Sequence, residues 1–253
     1  MNSTRGFTLI EIVVALGVSM IMLFAIGMAI ESMQKSSTGI ERKVTAQEDV
    51  RAALELMSME IRMASYNPTV NTTLWRGDAV AGGGISSCTA QSTNLTYRGI
   101  QEATANSITI EMDISDGTVG GDGNGLIMGT SNETNEVISY NYVTAGGQQY
   151  VTRATNCGGA QPFLGDLSTS GSPRTVRVIN ATLGIPIFRY FNGMGTEIPV
   201  DGTANGIPAQ IPNVRMIEIT LAVQTNDIDP NTKQRRNMIY STREVLRNHI
   251  AVQ

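Results

Sequence analysis

From Phe7 to Ile30 the chain is apolar with a single acidic residue, Glu11, set near the start of the run. About 24 residues at a 1.5 Å rise reach across a hydrocarbon core of roughly 30 Å with some tilt, so the segment is predicted to span a membrane as a helix. The pattern then changes without stopping. Val50, Leu54, Met57, Ile61 and Ala64 recur at alternating spacings of four and three, which lays one apolar stripe along a continuing amphipathic helix. On the other faces Glu31 and Lys35 stand at i, i+4, while Glu41, Arg42, Lys43, Glu48, Asp49, Arg51, Glu55, Glu60 and Arg62 read as a mixed-sign solvated surface. No proline occurs before Pro68, so helix is expected from Phe7 to about Met63, roughly 85 Å of it. Gly17, Gly27 and Gly39 are the positions for a bend or local unwinding, and Gly17 and Gly27 equally suit the close approach of another helix in lipid.

Past Asn67 the composition shifts to Gly, Ser, Thr and Asn with short alternating runs, the pattern of strands joined by loops. Ser107 to Asp113 sets Ile108, Ile110 and Met112 against Thr109 and Glu111; Val137 to Val143 sets Ile138, Tyr140 and Tyr142 against Ser139 and Asn141. Both read as half-buried strands. Others are expected at Gln149 to Ala154, Thr175 to Asn180, Ile187 to Asn192, Val214 to Val223 and Met238 to Thr242. The run Ile217, Ile219, Leu221, Val223 is the clearest alternation in the chain. The fold class is therefore α+β: a long N-terminal helix, transmembrane and then amphipathic, packed on a β-rich globular head. The part after the helix is long enough for one compact domain with its own core.

A carboxylate inside a membrane helix costs on the order of 2 to 3 kcal/mol even on insertion scales, so Glu11 calls for a partner. The flanks are informative too. A secretory signal peptide places its small-residue cleavage site after the apolar core, whereas here Gly6 precedes it. Arg5 is the one basic side chain of a six-residue leader and favours a cytoplasmic N-terminus, with everything after Ile30 exported.

Gly6-Phe7-Thr8-Leu9-Ile10-Glu11 resembles the class III signal of type IV prepilins and type II secretion pseudopilins. The resemblance implies cleavage between Gly6 and Phe7 by the prepilin peptidase and N-methylation of the new Phe7 terminus. It also implies that Glu11 neutralises the Phe7 amine of a neighbouring subunit as helices pack into a filament. Two opposite charges stranded in an apolar medium lose their desolvation penalty only by meeting, so such a pair would fix register as well as sign. The expected organisation is a leader at 1–6, a transmembrane or filament-core helix at 7–30, the amphipathic half at 31–66 and a periplasmic pilin-like head at 67–253.

Charge and chemistry narrow the function. The formal net charge is -4 with a pI near 5.1, which leaves no basic footprint for a phosphate backbone and no nucleic-acid partner. Cys88 and Cys157 both fall in the part expected to be periplasmic, where disulfides persist, and are expected to pair. Closing a loop of about 70 residues would stabilise the head by ~4 kcal/mol in the chain-entropy model. P-loop, G-x-G-x-x-G, C-x-x-C and H-E-x-x-H patterns are absent, and the one histidine, His249, is read as a surface residue near a fraying end, so no catalytic residue is assigned. Asp113, Asp116, Asp122 and Asn124 crowd among glycines and are candidate oxygen ligands for calcium, although the spacing is not that of an EF-hand. Asp-Gly and Asn-Gly turns explain the same composition, and no cofactor is expected.

Within the prepilin-like group, Arg51-Ala-Ala-Leu54 through Glu60-Ile-Arg62-Met-Ala64-Ser-Tyr66, then Glu136-Val-Ile138-Ser-Tyr140, Val151-Thr-Arg153 and Val245-Leu-Arg247-Asn248 resemble the minor pilin family PilW. The minor pseudopilin J of type II secretion is the nearest rival. The resemblance implies a minor pilin that helps start assembly of a type IV pilus and is incorporated into it. A large head repeats less easily around a thin filament than at its tip. The implied partners are other minor and major pilins, the prepilin peptidase and the inner-membrane assembly platform. The implied location is the inner membrane and then the extracellular pilus. An adhesin or calcium-tuned binding module on the same stalk is the reading from another class.

Overall fold

One helix, α1 (Leu9–Arg62), runs for 54 residues and organises everything else. The computed structural model describes residues 8–71, 74–75, 98–115, 123–127, 135–165, 175–200, 207–230 and 232–249. Neither Gly17, Gly27 nor Gly39 interrupts α1, because the helix formers around each glycine outweigh a cost of about 1 kcal/mol apiece. From Thr8 through 37 every residue is exposed, and from Thr38 onward the helix enters the head. The sequence stripe is the contact line: Val50, Met57, Ile61 and Ala64 are fully buried and Leu54 packs at the margin.

Among the described residues the head holds two antiparallel sheets. The first runs in the order β1 (Ile100–Ala103), β2 (Ser107–Glu111), β3 (Val137–Ala145), β4 (Gln148–Thr155) and β5 (Gln161–Gly165). In the second, β10 (Asn237–Val245), β9 (Met216–Thr225), β7 (Phe188–Phe191) and β8 (Glu197–Ile198) follow one another, with β6 (Val176–Val178) also pairing with β9. A short helix α2 (Asn180–Leu183) and a 3-10 turn at Pro208–Asn213 complete the described elements. The inward positions of both sheets meet the helix stripe in one core that includes Ile108, Ile110, Ile138, Tyr140, Phe188 and Tyr190. The alternating run at 217–223 supplies the inner face of β9 as expected, with Ile217, Ile219, Leu221 and Val223 all fully buried.

Strand β2 departs from the half-buried expectation, because both of its faces are covered. Outside the main core, Leu74, Trp75, Ile127 and Val137 form a second apolar cluster, and buried Thr109 and Glu111 lie on β2. Glu102 on β1 accepts from Ser107 Oγ at 2.5 Å and Thr109 Oγ1 at 3.2 Å, so these two hydroxyls find a partner inside the layer.

Candidate assembly site

The exposed half of α1 is the candidate site. Its most apolar stretch has a mean hydropathy of 2.6 over 18 residues and none of it is buried against the head. Leu9, Ile10, Met20, Ile21 and Phe24 are each at least 70% exposed, far more apolar surface than a free protein leaves in water. A Cβ added at Gly17 or Gly27 would meet nothing within 4 Å. The fold of this chain does not itself require glycine there, so the bare backbone is left for whatever surrounds the stem. Ser19 donates its hydroxyl to Ala15 O at 2.7 Å and thereby adds no unsatisfied group to the apolar run.

Glu11 is anchored locally. Thr8 is the N-cap of α1, and Thr8 Oγ1 accepts from Glu11 N at 3.4 Å. In return Glu11 Oε2 accepts from Thr8 N and from Thr8 Oγ1, each at 2.9 Å. The reciprocal pair is a capping box, and it sets the carboxylate at the positive end of the helix dipole. It also places Glu11 on the peptide N–H that joins Thr8 to Phe7. Thr8 therefore joins Glu11 in the candidate site, a partner that T-x-x-E ahead of an apolar run signals in the sequence. Gly6 and Phe7 lie outside the described residues.

At the other end of α1 the charges expected to be solvated fasten the helix to both sheets. Glu60 is buried, contrary to its reading as part of a wet face. Arg153 on β4 grips it with two bonds, Nη2 to Oε1 at 2.6 Å and Nε to Oε2 at 3.1 Å, and Tyr140 on β3 donates its hydroxyl to Oε2. Burial and the neighbouring carboxylate push the Tyr140 phenol far above its ordinary value, so it stays a donor. The bond to Glu60 raises the Arg153 guanidinium further. On the second sheet, Ser58 Oγ donates to Glu244 Oε1 at 2.5 Å and Arg62 Nε meets Glu244 Oε2 at 2.9 Å. The helix periodicity marked these positions as polar, but not that two sheets would close over them.

His249 is likewise buried, where a surface residue was expected. Its Nε2 faces Ile211 O at 2.8 Å, and its Nδ1 lies 2.8 Å from Ser65 Oγ and 3.1 Å from Arg98 O. Burial lowers the imidazole below its usual value. The ring ties the end of the chain to the turn after α1 and to the 3-10 turn. Ser65 is itself in the left-handed region (φ 64°) and crosses so close to Gly99 that a Cβ there would stand 2.6 Å from Ser65 Cα.

Of the candidate calcium ligands, Asp116 and Asp122 lie outside the described residues. Asp113 is buried, with Oδ1 accepting from Asn124 N at 3.0 Å and Oδ2 from Gly125 N at 2.8 Å, and Asn124 Oδ1 accepts from Leu126 N at 2.9 Å. Those oxygens tie Asp113 to the 124–126 segment through backbone N–H groups. Among the described residues no group of three or more His, Cys, Asp or Glu is placed to hold a metal. Cys157 follows β4 with φ 54° and is not a free thiol, while Cys88 lies outside the described residues.

No curated protein and no solved structure matches the chain. A family model does match its start: residues 1–29 fit the Prokaryotic N-terminal methylation motif. That motif implies processing by the prepilin peptidase, assembly with other pilins and a structural rather than catalytic protein. A helix of membrane-crossing length and composition follows it. The chain thus carries the N-terminal signal of prokaryotic prepilin-type proteins on an α+β body, which supports a type IV pilin or pseudopilin in general.

Proposed function

We propose that the protein is a minor pilin of the PilW kind, which helps start assembly of a type IV pilus and is carried at or near its tip. The supporting observation is the stem, 30 consecutive exposed residues (8–37) with one acidic group near the start and an unbroken helical connection to the head. In this reading the peptidase cuts between Gly6 and Phe7 and the Phe7 amine is methylated. The head faces the periplasm with Cys88 joined to Cys157, and the stem moves from bilayer to filament.

Glu11 meets the Phe7 amine of a neighbour during that transfer. In the single chain its carboxylate is already held at the helix start by Thr8, so the acid is aimed toward the terminus before any partner arrives. Binding then costs little side-chain ordering.

The processing step tests the reading first. Intact-mass analysis of the membrane fraction should find a chain beginning at methylated Phe7, and Gly6→Ala should leave residues 1–6 attached while insertion persists. A wild-type chain that keeps its leader, or is cut beyond Ile30, refutes the proposal. A secretion pseudopilin would share that processing, so recovery of the protein in sheared, purified pili decides between the two.

A further inference from the structure

Basic side chains are unevenly placed. Residues 31–43 and 226–236 together hold Lys35, Arg42, Lys43, Lys233, Arg235 and Arg236, six of the 18 basic residues in the chain, against four acids, Glu31, Glu41, Asp227 and Asp229. This zone is net +2 by that count, in a protein whose total is -4, so the remainder is -6. The two segments are distant in sequence and adjacent in space. The β9–β10 connection folds back against α1, where Asp229 Oδ1 and Pro230 Cδ come within 3.5 and 3.7 Å of a Cβ position at Gly39. Arg42 Nε reaches Asp227 Oδ2 at 3.3 Å, and Ser36, Gly39, Lys43, Asp229 and Arg236 line one cleft of about 240 Å³.

The height of this zone above the stem is set by helix rise. Lys35 lies about 7.5 Å beyond Ile30 and Gly39 about 13.5 Å at 1.5 Å per residue. A polar layer of roughly 5 to 8 Å covers each side of the hydrocarbon core, so Lys35 sits within it. The connection beside Gly39 hangs over it by about one Debye length at physiological salt. That connection presents Lys233 and Arg235 outward and leaves Ile228 half exposed. Three of the four acids are already paired, Asp229 with Arg236 at 2.5 Å, Asp227 with Arg42, and Glu31 with Lys35 at 2.5 Å, which leaves Lys43, Lys233 and Arg235 against Glu41.

The geometry points to an anionic bilayer surface as the partner of this collar: before assembly the head rests on acidic phospholipid headgroups through Lys43, Lys233 and Arg235. The inference rests on the membrane-anchored reading of the stem. It follows from continuity with that helix, from the charge sign and from the rigid α1, which fixes the collar at headgroup height. Such a contact restrains the head before assembly and has to be broken when the stem leaves the bilayer.

The test uses the full chain in vesicles of phosphatidylcholine alone or with phosphatidylglycerol, probed by amine acetylation and peptide mass mapping. Flotation of the vesicles reports anchoring independently. In the anionic vesicles Lys233 should be acetylated roughly fivefold more slowly than in the neutral ones, about what one basic contact to an acidic surface supplies. Half-molar salt should erase the difference, and Arg235→Glu should reduce it. Equal acetylation rates in floated vesicles of both kinds overturn the collar and leave anchoring intact. Failure to float overturns the anchored reading and the collar with it. Protection of Lys233 that scales with protein density rather than lipid charge assigns this face to subunit contacts and overturns the lipid proposal.

Discussion

Replacing Arg153 by methionine keeps most of its stem volume and leaves Glu60, 7% exposed, with the Tyr140 hydroxyl as its remaining partner in this cluster. Removing one member of a buried ion pair costs about 3 to 5 kcal/mol because a charge is left in low dielectric. The Arg153 side chain is 23% exposed, so water can enter the vacated space and the expected loss falls to about 2 to 3 kcal/mol. For a head of this size that corresponds to a Tm lower by roughly 5 to 10 °C. Glu60→Gln should cost less, about 1 to 2 kcal/mol, since the amide oxygen still accepts from Tyr140 and the charge left unpaired, on the partly exposed Arg153, can be solvated. The pair with both substitutions should recover at least about 1 kcal/mol relative to the sum of the singles. Urea unfolding of the head from Glu31 onward, followed by circular dichroism, gives all three values. A loss below about 0.5 kcal/mol for Arg153→Met, or strict additivity, refutes the reasoning and leaves helix docking to apolar contacts alone. Half-molar salt provides a second check, because a screened surface pair would weaken and this one should not.

Glu11→Ala should still insert into membranes, since it removes a polar group from the apolar run, yet be depleted from purified pili; normal incorporation removes the charge-pairing role. For His249 the sign is fixed by its lowered folded value: the unfolded chain takes up the proton first, so stability is full above about pH 6.5 and declines as pH falls through the folded value. His249→Gln should flatten that slope between neutral and mildly acid pH, and an unchanged slope in thermal scans overturns the assignment. Gly99→Ala places a Cβ 2.6 Å from Ser65 Cα at φ +78°, and should cost about 2 kcal/mol or more; a wild-type melting curve contradicts the close crossing. Millimolar calcium should leave the melting temperature unchanged, because Asp113 already bonds two backbone amides, and a saturable rise would refute this.

How far the sequence reaches depends on what carries the information. Helix and alternation are local, and they located α1 to within a residue or two at its C-terminal end and seven of the strands. Strand β1 has no alternation to read because Ile100, Gln101, Glu102 and Ala103 are all buried. Strand β5 carries Pro162, tolerated because β5 lies at a sheet edge, where a missing N–H breaks no inner ladder. Polar burial was the harder part. Glu60 and His249 occupy positions whose residue types normally face water, and only the arrival of Arg153, Ser65 and Ile211 from distant segments makes their burial tolerable. Of the site, the apolar stem and Glu11 are legible in the sequence, and the grip of Thr8 on Glu11 is written there only as T-x-x-E.

The continuity of α1 from stem to head core has a mechanical consequence. A pull along the stem reaches the head parallel to the helix axis, spread over the contacts from Gly39 to Ala64, rather than peeling one turn at a time. Apolar interdigitation resists such sliding, and the side bonds at Glu60 and Glu244 cross the sliding direction near the far end. The helix cannot be drawn out without exposing the core it belongs to. The head should therefore fail under axial load as one cooperative unit, at a force set by shear across its whole length.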